Sequence, residues 1–475
     1  MAKYIKTEKG YIDASIFAQA PFKPAGKSYL TFSSSNSFTL KVVSPTKNWN
    51  GIIEYFASNK TWITWDGMSA LSAVADDGEY VLYLRGTGNT IIAGSGYDYR
   101  WVFTGSNIAC IGNIENLLDY TTVESGGHPT MANYCYCDMF SDCTSLTQAP
   151  NLPATTLADY CYDGMFKGCT ALTQAPALPA TTLANKCYEA MFVDCTALTQ
   201  APALPATTLA SGCYSYMFNG CTALTQAPAL PATTLANYCY NGMFNGCTAL
   251  TQAPNLPATT LASGCYSYMF KGCTALTQAP ALPATTLASN CYQAMFEGCT
   301  SLTQAPALPA TTLTTQCYYY MFNGCTALTQ APALPATTLT TQCYYYMFYG
   351  CTSLKLSSTQ TGEYTQEYRI PSSGEGVTAP GALDTMFTST GGTFTGTPEV
   401  NKTYYLSSDN MIVRGTEIDT LNGYVSSMID VAIDKYADTA EYIVPSSTQG
   451  STKKFKITVD DAGTLSATEV TDTTT

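Results

Sequence analysis

Residues 134–354 are one motif written nine times, every 26 residues, without an insertion. Each copy holds Cys-Tyr-x-x-Met-Phe-x-x-Cys-Thr-x-Leu, beginning at Cys135, Cys161, Cys187, Cys213, Cys239, Cys265, Cys291, Cys317 and Cys343. Thr-Gln-Ala-Pro-x-Leu-Pro-Ala-Thr-Thr-Leu joins successive copies and occurs eight times. One such unit is too small to bury its apolar side alone; equal units at a fixed period do so by stacking. The period predicts a mainly β chain with short helices, organised as a solenoid of nine coils.

Within a copy, Thr-x-Leu-Thr-Gln-Ala reads as the extended part. The proline after it (Pro150, Pro176 and their equivalents) has no N–H, so the ladder strand is very short. Coils ~4.8 Å apart in a parallel ladder make an array of roughly 40 Å. Cys-Tyr-x-x-Met-Phe reads as one or two helical turns with Cys, Met and Phe inward. A Gly, or in some copies an Asp, precedes the second Cys and tolerates a positive φ there.

Of the 20 cysteines, 18 occupy the two fixed positions of the nine cores. They recur in register with Leu, Met and Phe, as buried small hydrophobes do, which favours free thiols over a disulfide framework. The chain is 12% charged with a net charge of −13 and has no cluster of Lys and Arg, which argues against nucleic acid and anionic membranes as partners. His128 is the only histidine, so neither a multi-His metal site nor a His-based relay is expected. No stretch reaches the ~18 apolar residues of a membrane span, so no membrane insertion is expected. The opening Met-Ala-Lys-Tyr-Ile-Lys-Thr-Glu lacks the apolar run of a secretory signal.

Outside the array, residues 1–27 form a short arm, frayed or docked on another subunit. Residues 28–113 alternate apolar and polar positions between Gly, Asn, Asp and Ser turns, and predict a small β-sandwich. All four tryptophans (Trp49, Trp62, Trp65 and Trp101) fall there and read as core, with surface anchors for a ligand as the alternative for some of them. Arg85-Gly-Thr-Gly-Asn reads as a turn, because a third glycine and a following helix are missing. Residues 114–133 read as the coil that caps the first edge of the array. Residues 355–415 read as the C-terminal cap: Met386-Phe387 echoes the core 39 residues after Met347, a degenerate copy with an insertion. Residues 416–475 predict a helix over 416–436, with Thr416 as its cap, then a hairpin and a tail, together an oligomerisation or attachment module.

Met-Phe-x-Gly-Cys-Thr-x-Leu followed by a strand and Pro resembles the BspA-like leucine-rich repeats of bacterial surface proteins, over residues 134–354. That resemblance implies a leucine-rich-repeat solenoid used in adhesion, often presented at a cell surface. The opening Met-Ala-Lys-Tyr-Ile-Lys-Thr-Glu and the closing Ser-Thr-x-Gly-Ser-Thr-Lys-Lys-Phe-Lys-Ile-Thr-Val-Asp-Asp resemble the termini of bacteriophage fibre and tail proteins. They imply a virion-surface protein assembled in the host cytoplasm, joined to other virion proteins through its N- and C-terminal regions, homo-oligomeric, with a host surface protein or glycan as its target. The alternative is a bacterial cell-surface adhesin.

No catalytic constellation, cofactor motif or metal-ligand spacing is present, and a non-enzymatic protein is expected. Asp76-Asp77 and Asp460-Asp461 fall at turns, where solvated carboxylates are ordinary turn formers. Comparing the copies locates a binding candidate instead. The strand side is monotonous, with Gln148, Gln174 and their equivalents in a column able to hydrogen-bond along the stack. Variation gathers around Cys-Tyr, where tyrosines accumulate: Tyr216, Tyr268, Tyr319, Tyr320, Tyr345, Tyr346 and Tyr349. Tyrosine offers large contact area at low entropic cost. Exposed turns that simply tolerate variation are the other reading.

Overall fold

The structure, a computed structural model, describes residues 22–26, 29–44, 47–94 and 99–413 in full, and the backbone of strands within 4–13 and 442–470. Two compact units divide after Val413, and each is described by itself.

In the first unit, β1 (Tyr4–Thr7) and β2 (Gly10–Asp13) pair as an antiparallel hairpin. The alternating region forms β3 (Leu30–Ser34), β4 (Thr39–Val42), β5 (Ile52–Phe56), β6 (Trp62–Thr64), β7 (Leu71–Ser72), β8 (Val74–Asp76), β9 (Glu79–Thr87), β10 (Trp101–Thr104) and β11 (Ile108–Ile111). One sheet runs β11-β3-β9-β5-β6 with β8 on β9; a second runs β10-β4-β7. Their inward residues include Leu30, Phe32, Leu40 and Ile53. Trp49, Trp65 and Trp101 are buried and pack together, Trp49 and Trp65 at 5.1 Å. Trp62 is the exception: it lies half-buried under the Arg85 guanidinium, 4.2 Å away, which Glu54 pairs at 2.8 Å. Gly86 is not in a turn but inside β9, because α1 passes so close that a methyl group there would meet the Leu117 carbonyl oxygen.

The capping expected of 114–133 is shared differently. Nine of those 20 residues form the helix α1 (Asn116–Glu124), which buries Leu117 and Leu118, while just before it Ile114 N–H donates to Asn151 O of the array at 3.1 Å. The strand beside the first copy is β11, which pairs antiparallel with β3 and parallel with β12 (Leu146–Gln148). Further cover comes from Ile92 N–H to Cys135 O (2.9 Å) and Trp101 N–H to Met139 O (2.7 Å). The apolar core runs without a break from Phe32 and Trp101 into Phe140.

The cores are not helical. Alternate N–H groups bond along the stack: Tyr136, Asp138, Phe140 and Asp142 donate to Cys161, Asp163, Met165 and Lys167 carbonyls at 2.7–2.9 Å. The intervening Cys137, Met139, Ser141 and Cys143 donate three residues back at 2.9–3.2 Å. The pattern recurs copy after copy, so each core is a run of β-turns stacked on the next. An α-helix spends every interior N–H on its own fourth-back carbonyl and leaves none for a neighbour. Successive turns require a left-handed residue at every fourth position, and φ is +61° at Tyr134, +52° at Asp138 and +60° at Asp142, with positive values at the equivalent positions in every copy. The strand part is as short as the proline implies, mostly single bridges such as Gln226↔Gln252, with β13 (Gln330–Pro332) a true strand.

Inward, the copies stack side chain on like side chain. Tyr136 and its equivalents up to Tyr344, missing from the sequence-based core, are buried with ring centroids 5.5–5.9 Å apart. The phenylalanine column runs from Phe140 to Phe387 at 5.5–5.8 Å. None of the 20 cysteines is in a disulfide, and all are buried. The second Cys of each copy after the first points its Sγ at the Phe carbonyl of the copy before, as Cys221 does at Phe192 O (3.1 Å).

After the ninth copy come β14 (Lys355–Ser357), β15 (Tyr364–Arg369), β16 (Gly391–Gly392), β17 (Thr403–Ser407) and β18 (Met411–Val413). Residues 382–388 lie against the ninth core: Tyr344 N–H donates to Ala382 O and Phe348 N–H to Met386 O, both at 3.0 Å, and Phe387 stacks on Phe348 at 5.5 Å. β18 pairs parallel with β13. In the second unit β19 (Tyr442–Pro445), β20 (Lys454–Val459) and β21 (Leu465–Val470) form an antiparallel sheet in that order. The helix expected over 416–436 and Asp460-Asp461 lie outside the described residues.

Candidate binding face

Two columns of left-handed residues define one face of the array. One is the position before the first Cys (Tyr134, Tyr160, Lys186 onward); the other is three residues after it (Asp138, Gly164, Ala190 onward). Side chains here reach toward the next copy, and glycine there makes the room. A methyl group on Gly242 would lie 2.5 Å from the Tyr216 ring, and one on Gly264 2.5 Å from the Tyr238 ring. Copies four to six therefore alternate: Gly212 with Tyr216, Tyr238 with Gly242, Gly264 with Tyr268.

The structure divides the seven tyrosines singled out in the sequence. Tyr319, Tyr320, Tyr345, Tyr346 and Tyr349 meet in one cluster over the last two copies. Tyr320 stacks on Tyr346 at 4.7 Å and 2°, Tyr319 on Tyr345 at 5.1 Å and 7°. Tyr349 leans on Tyr346 at 5.0 Å. Tyr216 and Tyr268 stand in the column of Tyr320, but outside this cluster, two copies apart from each other. Burial and neighbouring phenols push the Tyr320 hydroxyl up to about 12, so it is a protonated donor at neutral pH.

Sequence comparison missed Tyr238, which is 52% exposed, and the stacked pair Tyr134 and Tyr160 at 4.5 Å. The signal was present, since where Tyr precedes the first Cys, Gly follows in the other column in two of three cases. Beside the tyrosines runs an amide ladder: Asn290 Nδ2 donates to Gln316 Oε1 (2.9 Å) and Gln316 Nε2 to Gln342 Oε1 (2.7 Å). Gln293 Nε2 donates to the Tyr268 hydroxyl at 2.9 Å. On the opposite, strand side the expected Gln column meets through backbone bridges, and the hydroxyls of Thr199, Thr251, Thr303 and Thr329 donate to threonine carbonyls one copy back.

Charge divides the face along its length. The first three copies carry Asp138, Asp163, Lys186 and Glu189, with Lys186 paired to Glu189 at 3.2 Å. Burial, then the nearby Glu189 and Asp138, raises Asp163 to about 7. From 195 to 354 only Lys271 and Glu297 are charged, and they pair at 2.9 Å. Among the described residues no group of three or more His, Cys, Asp and Glu is placed to hold a metal ion, and no helix is long and apolar enough to cross a membrane.

Stacked copies with parallel bridges, a mainly apolar interior and sequence variation gathered around Cys-Tyr are the features of a leucine-rich-repeat-like array. The family model of the BspA type leucine rich repeat region matches in six copies over residues 120–251 and 264–368, so the array is similar to the repeats of that family. Comparison with curated proteins and with solved structures gives no match.

Proposed function

We infer that this chain is a non-enzymatic adhesion protein whose turn face, carrying the tyrosines, is the binding surface. The observation that carries this reading is the contrast between faces. The interior and strand side repeat nearly without change, while the half-exposed turn side collects clustered phenols. Tyrosine-rich surfaces supply contact area with little rotamer entropy to lose.

The finer reading is a bacteriophage fibre protein of head or tail. In it the terminal regions join other virion proteins or oligomerise, and nine coils of the solenoid face a host surface protein or glycan. The similarity to BspA type repeats favours a second setting, a bacterial cell surface. Immunogold labelling with an antibody to the array separates them: gold on virions supports the fibre, gold on uninfected cells the adhesin. The binding role itself is tested by replacing Tyr319, Tyr320, Tyr345, Tyr346 and Tyr349 with Ser. Loss of cell binding with an unchanged melting curve is expected; unchanged binding would make the cluster a tolerant surface only.

A further inference from the structure

We propose that the ligand of this face is an uncharged polysaccharide strand lying along the stack over copies four to nine, an inference that rests on the adhesion reading above. Three observations carry it.

The first is neutrality. The only two charged side chains between 195 and 354 pair with each other, so this stretch offers no free charge to an anionic or cationic ligand. The second is which part of each phenol is offered. The rings of Tyr319 and Tyr320 lie parallel to those of Tyr345 and Tyr346, and those of Tyr216 and Tyr238 lie over the glycines of the next copy. Ring faces are thus turned into the stack, and edges and hydroxyls are left for a ligand. Together with the Asn290–Gln316–Gln342 amides they form a rim of hydroxyl and amide groups, which suits a polyhydroxylated partner. Protein anchors such as Trp or Arg need desolvated pockets. Two shallow depressions of about 320 Å³ each lie on the strand side between Thr199 and Pro231.

The third is extent. Tyr216, Tyr238 and Tyr268 continue the terminal cluster copy by copy, and Gln293 bridges to Tyr268 where the seventh copy has Asn290 and Ala294 in the two turn-face columns. Six copies at ~4.8 Å give a strip of roughly 25 Å, the footprint of an extended chain of several sugar units.

The test uses the full-length chain, fluorescently labelled, on a panel of bacterial cells. Cells that bind it are treated with periodate, which cleaves vicinal diols, or with protease. Binding is expected to fall about tenfold or more after periodate, to survive protease, and to change little between ~50 and ~500 mM salt. Y216F, Y238F and Y268F combined remove three hydroxyls and keep the rings; a several-fold loss of binding with the melting curve retained is expected. Binding abolished by protease and resistant to periodate overturns the proposal in favour of a protein receptor and leaves the adhesion reading standing. Binding lost at high salt overturns it in favour of a charged ligand. A chain that labels no cell overturns both.

Discussion

At the scale of single residues, the array depends on left-handed positions filled by whatever the neighbouring copy can accommodate. A side chain there costs ~1–2 kcal/mol in backbone strain, offset where the ring of Tyr216 or Tyr238 packs over glycine. Gly242→Ala adds both that strain and a clash with Tyr216, whereas Gly246→Ala meets only the Gly220 backbone at 3.7 Å. In thermal denaturation Gly242→Ala is expected to lose roughly 1–3 kcal/mol more than Gly246→Ala, and Tyr216→Ala to recover part of the difference. Equal losses would show that the ring and glycine do not interlock. Asp163 makes a second residue-scale prediction. Burial raises it from 3.8 to about 7, so across that window the native state keeps a proton the unfolded state has released. Its contribution is therefore fully present below pH ~4 and lost as pH rises toward 7. Asp163→Asn is expected to match the parent at pH ~4 and exceed it in stability at pH ~8.

At the scale of the repeat element, hydrogen bonding explains why turns replaced the expected helices. A helix over Cys-Tyr-x-x-Met-Phe satisfies itself, while alternating turns send every second N–H to the next copy. Stacking thus satisfies backbone and core together, consistent with a buried cysteine at both fixed positions. Burial pushes these thiols upward, Cys195 and Cys247 to about 12, and a thiol kept protonated and away from solvent is inert. An aromatic disulfide reagent at pH ~8 is expected to titrate none of the 20 cysteines in the native chain and all 20 after denaturation. Rapid native reaction of several thiols would mean that the copies open individually. The short strand was legible from Pro150 and its equivalents, because a missing N–H is a local fact. Turn against helix was not, since both place Cys, Met and Phe inward.

At the scale of the whole molecule, a stack needs an end on each side. The N-terminal sheets supply one through β11 and Trp101; residues 382–388 and β18 supply the other. A chain ending at 354 uncovers Met347 and Phe348, both fully buried, and is expected to aggregate or to lose cooperative unfolding by circular dichroism. A chain ending at 413 removes a separate compact unit and is expected to keep the melting temperature of the array. Its sedimentation then tests the assembly role proposed for 416–475, since an unchanged oligomer would remove that role.

What the sequence determined by itself was the stacking of copies, the inward Cys, Met, Phe and Leu positions, and the face where variation gathers. All of these follow from a 26-residue period and apolar register, which are properties of one chain read in order. Only the tertiary structure decided that β11 lies beside the first copy, that Tyr136 and its equivalents are core, and that Tyr238 joins the tyrosine face. Each depends on contact between residues a full copy or more apart. The sign of φ that aims those side chains is set by where the neighbouring copy's carbonyls lie.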